Sequence, residues 1–106
     1  MATYRVTTPQ FSFTLPIDTS DCSVIQITYT QGAHKLVKEY SHGTLPPGMI
    51  LDEDTVINNL TQQETKDFKA GTVDVQLRAL STGGQAYASD HFIINVIDVN
   101  NEDILQ

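Results

Sequence analysis

The sequence predicts an all-β fold, an antiparallel β-sandwich of about seven strands. Apolar and polar residues alternate with a period of two through most of the chain, as they do in half-buried strands. Turn-forming residues recur roughly every ten positions between these segments. The chain has 106 residues, of which 40% are hydrophobic. We therefore expect one domain over residues 1–106, with a modest core and no deep substrate cleft.

The first half of the chain contains three predicted strands. Gln10–Leu15 alternates between flanking prolines, which cannot donate to a strand ladder. Ser23–Thr30 places its large apolar residues on one face and its polar residues on the other: Ile25, Ile27 and Tyr29 against Gln26, Thr28 and Thr30. After a turn at 31–34, Lys35–Tyr40 is expected to return as an antiparallel partner.

The middle of the chain is predicted to cross between the sheets twice. The Pro-Pro pair in Gly43–Gly48 favours a rigid, polyproline-like crossover. Two short strands, Met49–Leu51 and Thr55–Leu60, surround an acidic turn. One short capped helical turn follows near residues 61–68, because Thr61 precedes Glu64 by three positions in the capping-box pattern.

The last third is predicted to hold the most regular strands. The first has an apolar face of Val73, Val75, Leu77 and Ala79. A glycine turn at Ser81–Gln85 connects it to one long last strand, Ala86–Val99. Apolar residues on both faces of that strand indicate a central or covered position. We expect 101–106 to be an acidic, frayed tail.

The charge of the chain is unevenly distributed. The formal net charge is −7, and all of it lies in residues 41–106, since the basic and acidic residues of 1–40 cancel. Without clustered Lys and Arg, we predict no nucleic-acid binding and no attraction to an anionic membrane. The acidic residues are expected to form a solvated surface, with a cation site or a basic protein partner as alternatives.

Cysteine usage and the first residues bear on the compartment. Cys22 is the only cysteine, so no intramolecular disulfide can form, which favours a reducing compartment. Its acidic neighbour Asp21 would raise the pKa of the thiol, so we expect Cys22 to be inert. Met1–Val6 lacks the basic and apolar regions of a secretory signal, so secretion by a signal peptide is not expected.

No motif in the sequence indicates catalysis. His34, His42 and His91 have no metal-ligand spacing, and Gly83-Gly84 lacks the Lys and the helix of a phosphate-binding loop. The carboxylates of the turn 52–54 are expected to be exposed, where nothing would raise a pKa for acid–base work. We therefore predict that the protein is not an enzyme and has no catalytic, cofactor-binding or metal-binding residues.

Three resemblances add to this reading. The acidic segment Asp98–Asp103, after the terminal strand, is similar to the calcium-binding linker of cadherin-like domains, which leaves a calcium site there as an open alternative. Gly43–Leu51 and Gly71–Ala79 resemble bacterial immunoglobulin-like domains that share a cadherin-like sandwich. This second resemblance implies an immunoglobulin-like sandwich, and it suggests an adhesion or carbohydrate-binding module as one alternative function. Such a module normally exposes aromatic platforms, but the chain has no Trp.

The third resemblance covers nearly the whole chain. The segments that carry it are Thr8–Ser20, Ile25–Gln31, Leu60–Thr65 with Phe68, Val75–Leu80 and Ala86–Asp90. Their order and spacing resemble small uncharacterised proteins encoded in phages and prophages of Firmicutes and gut bacteria. That family has no established catalytic residues, so none is carried over. The resemblance implies phage origin and a location in the virion or the host cytoplasm.

The sequence and these resemblances together give two further functional expectations. The first is a phage accessory or virion structural protein that binds phage structural proteins, or a second copy of itself, in the capsid, neck or tail. The crossover Gly43–Gly48 and the last strand are the predicted docking surfaces. The alternative is a host-interaction or counter-defence protein, in which an acidic patch on residues 51–103 would cover a basic host surface.

Overall fold

The computed structural model describes residues 2–89 and 91–106. Within this part of the chain, nine strands and two short helical segments are present. The strands are β1 (Ala2–Tyr4), β2 (Gln10–Thr14), β3 (Cys22–Gln31), β4 (His34–Ser41), β5 (Met49–Asp52), β6 (Thr55–Asn59), β7 (Gly71–Ser81), β8 (Ala86–Ala88) and β9 (Phe92–Ile97). A 3-10 turn covers Thr19–Asp21, and the α-helix α1 covers Gln62–Lys66.

The strands form two sheets. The larger sheet has the order β1-β9-β7-β3-β4, with β8 pairing the end of β7, and the smaller sheet has the order β2-β6-β5. The strands β2, β6 and β5 face β9, β7, β3 and β4 across the core. This is the arrangement of an immunoglobulin-type sandwich in which one strand, β4, is added beside β3. The prediction of an all-β, immunoglobulin-like sandwich is therefore confirmed.

The strand periodicity also predicted the core correctly. Ile25, Ile27 and Tyr29 of β3 are completely buried, and so is Val75 of β7. Aromatic contacts join the two sheets: the ring centroids of Phe13 and Phe92 lie 5.6 Å apart, and those of Phe11 and Tyr29 lie 5.8 Å apart. The core cluster consists of Phe11, Phe13, Leu15, Cys22, Ile25, Ile27, Tyr29, Met49, Val56, Leu60, Phe68, Val73, Val75, Leu77, Ala79, Ile94 and Val96.

The helical turn near residues 61–68 is confirmed as α1, and it has the predicted capping box. The Thr61 hydroxyl accepts from the Glu64 backbone N–H at 3.1 Å, and the Glu64 carboxylate accepts from the Thr61 backbone N–H at 2.9 Å. These bonds satisfy two of the N–H groups that a helix start leaves unpaired. As predicted, the helix carries the chain from the smaller sheet, at β6, to the larger sheet, at β7.

The strand count and one pairing direction differ from the prediction. The chain has nine strands rather than about seven in the part described, and β1 pairs with β9 in parallel, with Thr3 opposite Val96. The sequence analysis did not predict β1, because three residues show no usable alternation. The 3-10 turn at Thr19–Asp21 was also not predicted; the Asp18 carboxylate accepts from the Ser20 backbone N–H at its start, at 2.9 Å.

The prediction of one long last strand, Ala86–Val99, is wrong. Leu80 lies opposite Ala86, and Val75 lies opposite Phe92. Between these two pairs the chain advances five residues along β7 but six residues along the opposing segment. The extra residue makes a bulge that separates β8 from β9. Ser89 holds the bulge, because it donates its backbone N–H to the Leu77 carbonyl at 2.8 Å and accepts the Leu77 N–H through its hydroxyl at 2.9 Å. The central position predicted for this strand is confirmed for β9.

Candidate functional site

The outer face of the larger sheet presents exposed apolar side chains along one side. Tyr4 of β1 lies directly opposite Ile97 of β9, and Ile93 lies on the same face of β9. All three side chains are exposed, Ile93 to 49%. We call Tyr4, Ile93 and Ile97 the outer strip. Of the two positions predicted for the last strand, central or covered on both sides, the structure shows the central one at β9, with these side chains exposed on its outer face.

The middle of the same face is polar. Gln26 of β3 lies between Arg78 of β7 and Glu39 of β4, and its amide donates to the Glu39 carboxylate at 3.2 Å. Asp74 and His91 meet further along, with 2.7 Å between the Asp74 Oδ2 and the His91 Nδ1. The outer face of the larger sheet is therefore apolar at one side and polar in the middle, whereas its inner face packs into the core.

The predicted crossover is also exposed at its centre. Gly43–Gly48 connects β4 of the larger sheet to β5 of the smaller sheet, as predicted. Leu45 is 49% exposed there. Both surfaces that the sequence analysis named for docking therefore display large apolar side chains.

Beneath the crossover, a buried ion pair joins β4 to α1. The side chain of Lys38 is only 10% exposed, and its ammonium group forms an ion pair with the Glu64 carboxylate. The Lys38 Nζ also donates to the Pro47 carbonyl at 3.4 Å. Glu64 thus serves both the helix cap and the lysine. This pair was not predicted: alternation places Lys38 on the same face of β4 as Leu36 and Tyr40, but no local pattern shows that Glu64 lies beside it.

The acidic segment Asp98–Asp103 is brought against Arg5. The Arg5 guanidinium donates to Asp98 at 2.6 Å and also contacts Glu102. The same guanidinium donates to the carbonyls of Phe68 and Lys66, at 2.6 and 2.7 Å. We call Arg5 with these four acceptors the Arg5 clamp. The carboxylates of Asp98 and Glu102 already bind the Arg5 guanidinium, which a calcium ion would have to displace.

The terminal segment makes hydrogen bonds to α1. The Leu105 backbone N–H donates to the Gln62 side-chain oxygen, and the Gln62 amide donates to the Leu105 carbonyl, both at 2.8 Å. Residues 101–106 have no regular secondary structure, but these bonds and the contact of Glu102 with Arg5 dock them against α1. Gln62 and Arg5 thus give this segment specific contacts with the rest of the fold.

Acidic groups from both halves of the chain meet at one end of the sandwich. The turn between β5 and β6, Asp52–Asp54, is exposed as predicted, and the Glu53 carbonyl accepts from the Thr19 backbone N–H at 2.6 Å. Asp18, Glu53 and Asp54 line a common shallow hollow. The two hydrogen bonds from Ser20, through its backbone N–H and its hydroxyl, lower the pKa of Asp18. We call Asp18, Asp21 and Asp52–Asp54 the acidic end.

The histidines and the cysteine lie in separate places. His34 packs edge-on against Phe68 beside an open groove of about 640 Å³, also lined by Asp67 and Lys69, and His42 lies in the turn after β4. Cys22 is buried as a free thiol, and burial, followed by the charges of Asp21 and Asp18, raises its pKa. Within residues 2–89 and 91–106, no group of three or more His, Cys, Asp or Glu side chains is placed to hold a metal ion.

A buried polar contact lies between the two sheets. Asn58 is completely buried and donates through its amide to the Tyr29 hydroxyl at 2.8 Å, while the Asn58 Oδ1 has no hydrogen-bond partner in the described residues. Burial raises the pKa of the Tyr29 hydroxyl. Tyr29 therefore belongs to the core, as the sequence analysis anticipated, and is unavailable as an exposed platform for a sugar. Tyr40 and Tyr87 are half-buried.

Comparisons with known proteins add no assignment. No protein-family model matches the chain, and no curated protein matches it in sequence. In the part of the chain that the structure describes, no helix has the length and apolar character needed to cross a bilayer.

Proposed function

We propose that this protein is a non-enzymatic accessory or structural protein of a phage virion, which binds other phage proteins in the capsid, neck or tail. The observation that carries the proposal is the outer strip, a set of exposed apolar side chains on the outer face of the larger sheet. The resemblance of the segments between Thr8 and Asp90 to phage and prophage proteins supports the assignment to a virion. Under this proposal the protein is located in the virion or the host cytoplasm.

The mechanism of docking is burial of the outer strip against an apolar surface of the partner. Apolar area removed from water contributes roughly 25 cal/mol per Å², and aromatic and aliphatic anchors at the centre of an interface carry most of the binding energy. Tyr4 and Ile97 are neighbours in the parallel pair of β1 and β9, so they would enter a partner pocket together. The polar groups around Gln26 would form the rim of the interface.

The test is incorporation into particles. Purified virions, analysed by quantitative mass spectrometry, should contain the wild-type protein at a fixed ratio to a capsid or tail protein. Ile93→Glu should reduce that ratio about tenfold, because a carboxylate in a buried apolar interface is left unpaired. Ile50→Glu is a matched control, since Ile50 is 50% exposed on β5 of the other sheet. Absence of the wild-type protein from purified virions would refute the proposal.

The acidic end favours a second candidate function, a host-interaction or counter-defence protein. The structure gathers Asp18 with Glu53 and Asp54, which lie far apart in the sequence. Such a concentration of negative charge attracts basic protein surfaces, and the attraction weakens with salt. A basic host protein that the chain retains at low salt should be lost with Asp52→Asn/Asp54→Asn. Retention that is independent of salt and of this substitution would exclude the acidic end as the binding surface.

A further inference from the structure

We propose that two copies of this chain pair through their β4 strands, antiparallel and centred on Val37, so that the larger sheet continues from one copy into the other. The inference goes beyond the proposed function and does not depend on phage origin. It concerns the outer edge of β4, the last strand of the larger sheet. Thr44 bridges to Ser41 at one end of this edge, and no strand of the described chain pairs with it along Lys35, Val37 and Glu39.

The hydrogen-bonding groups of this edge can be assigned from the pairing of β4 with β3. In an antiparallel pair, successive residues alternate between bonding the neighbouring strand and pointing away from it. The Ser41 N–H and carbonyl bond the Thr44 carbonyl and N–H, at 3.2 and 3.0 Å, and so they point away from β3. The N–H and carbonyl groups of Lys35, Val37 and Glu39 therefore also point outward, at the free edge.

The side chains of these residues make the edge complementary to itself. In an antiparallel pair of two β4 strands centred on Val37, each Lys35 lies opposite Glu39 of the second copy, and Val37 lies opposite Val37. All three residues are exposed on the outer face, Val37 to 45%. Opposite charges and β-branched residues in directly opposed positions stabilise a strand pair.

The hydrogen-bonding positions agree with the same register. Lys35, Val37 and Glu39 are the residues with outward-pointing groups, and they are the ones that this register places opposite each other. Three such pairs, each exchanging two bonds, give about six backbone hydrogen bonds. A shift of two residues in either direction puts Val37 opposite Lys35 or Glu39 and loses both charge pairs. Only the register centred on Val37 forms these backbone hydrogen bonds together with both pairs of Lys35 and Glu39.

An inward-pointing charge on an edge strand usually prevents such pairing. Lys38 is an inward-pointing charge on β4, but its ammonium group is already held by Glu64 and by the Pro47 carbonyl of the same chain. Opposite it in the pair would be Leu36 of the second copy. Lys38 thus brings no unpaired charge to the edge. Since each strand is contacted by its identical copy, the interface closes with two-fold symmetry and does not propagate.

The first experiment measures mass against concentration. A single strand pair buries less than a standard interface, so sedimentation equilibrium should show the mass rising from 11.7 kDa toward twice that value between about 10 µM and about 1 mM protein. Lys35→Glu and Glu39→Lys should each raise the dissociation constant about tenfold, because both symmetry-related pairs become repulsive. The double variant K35E/E39K should restore the wild-type dissociation constant. Lys69→Glu, an exposed charge reversal away from the edge, should not change it.

The second experiment fixes the register. Val37→Cys should form a disulfide between copies on mild oxidation, because directly opposed residues of a hydrogen-bonded pair have Cα atoms about 5.5 Å apart. Thr28→Cys, on the same face of the neighbouring strand, should not, because its copies would be about 14 Å apart. A wild-type mass that stays monomeric at every concentration would overturn the proposal. So would a double variant as weak as the single variants, or failure of Val37→Cys to cross-link.

Discussion

At Gly48, both the backbone conformation and the packing require a glycine. Its φ is +86°, a left-handed value that side chains rarely adopt. Its α-carbon also faces the Asn59 carbonyl so closely that a Cβ atom there would overlap the oxygen. The Gly48 carbonyl in turn accepts from the Asn59 backbone N–H at 2.8 Å. This approach joins the end of the crossover to β6.

Gly48→Ala should lower the free energy of unfolding by about 3 kcal/mol, because strain at positive φ and displacement of the Asn59 carbonyl add together. Gly43→Ala is the matched control, since its φ is +90° and nothing lies within 4 Å of the added Cβ. That variant should lose only about 1 kcal/mol. Urea denaturation measures both values. Equal losses would show that the contact with Asn59 does not matter.

Tyr29 and Asn58 form a polar pair inside an otherwise apolar core. Burial of the Tyr29 hydroxyl raises its pKa above the ordinary value of 10.0, while the hydrogen bond from Asn58 acts in the opposite direction and is smaller. The folded protein therefore keeps the tyrosine protonated at a pH where the unfolded chain releases the proton. Ionisation favours the unfolded state, and the free energy of unfolding must fall as the pH rises above about 10.

Tyr29→Phe should lose less of its free energy of unfolding at alkaline pH than the wild type does. The difference should be about 1.4 kcal/mol for each pH unit above the ordinary pKa of tyrosine. At neutral pH the same variant should be about 1–2 kcal/mol less stable, because the Asn58 amide loses the Tyr29 hydroxyl as acceptor. Tyr4→Phe is the control, as Tyr4 is exposed. Urea midpoints at about pH 9 and pH 11 give the comparison. A Tyr29→Phe variant as sensitive to alkali as the wild type would contradict this account.

At the scale of the element, α1 is too short to be stable by itself. It has five residues, and isolated helices shorter than roughly 12 residues are marginal in water. Its stability comes from the capping box, from the ion pair between Glu64 and Lys38, and from Thr65, whose hydroxyl donates to the Thr7 carbonyl at 2.8 Å. The helix is therefore a product of its contacts with β4 and with the segment before β2.

Glu64→Gln separates the two roles of this side chain. The amide oxygen can still accept from the Thr61 N–H, but the buried Lys38 loses its counter-charge, so we expect a loss of about 3 kcal/mol. Thr61→Ala should cost only about 1 kcal/mol, the value of a cap. The double variant K38M/E64Q should recover most of the stability that Glu64→Gln loses, because no buried charge remains. Thermal or urea unfolding measures all three. If the double variant is as unstable as Glu64→Gln alone, the ion pair is not the cause.

The elements that sequence analysis predicted are those whose signal is local. Alternation located β2, β3 and β7, and the spacing of Thr61 and Glu64 located α1. The bulge that divides the last strand depends on the bonds between Ser89 and Leu77, and no local pattern encodes it. The ion pair of Lys38 depends likewise on Glu64, which lies 26 positions away in the sequence. Such pairings become visible only when the sheets are assembled.

The candidate surfaces could be predicted only in part. The sequence predicts the last strand as a docking surface, and the structure exposes Ile93 and Ile97 on it. Tyr4 was not included, because its place beside Ile97 results from a parallel pairing across the whole chain. The acidic turn was recognised, but Asp18 joins it only through the contact of Thr19 with Glu53.

At the scale of the whole molecule, the Arg5 clamp joins the two ends of the described chain. Arg5 follows β1, and its backbone N–H donates to the Ile97 carbonyl at 2.8 Å. Its side chain reaches the end of α1 and the segment after β9 at once, so one guanidinium links three parts of the fold. Its planar fork of donors allows this, whereas the single ammonium group of a lysine could not contact all four acceptors.

Arg5→Lys should therefore loosen the terminal segment before the fold as a whole. We expect the free energy of unfolding to fall by about 2 kcal/mol, since two carbonyls and two carboxylates lose charge-assisted bonds. Hydrogen exchange at the Leu105 amide should accelerate at least tenfold, because the segment is then held by Gln62 alone. Arg78→Lys, at an exposed arginine of β7, should change neither value. If Leu105 exchanges at the wild-type rate in Arg5→Lys, the bonds to Gln62 hold the segment and the clamp stabilises only α1.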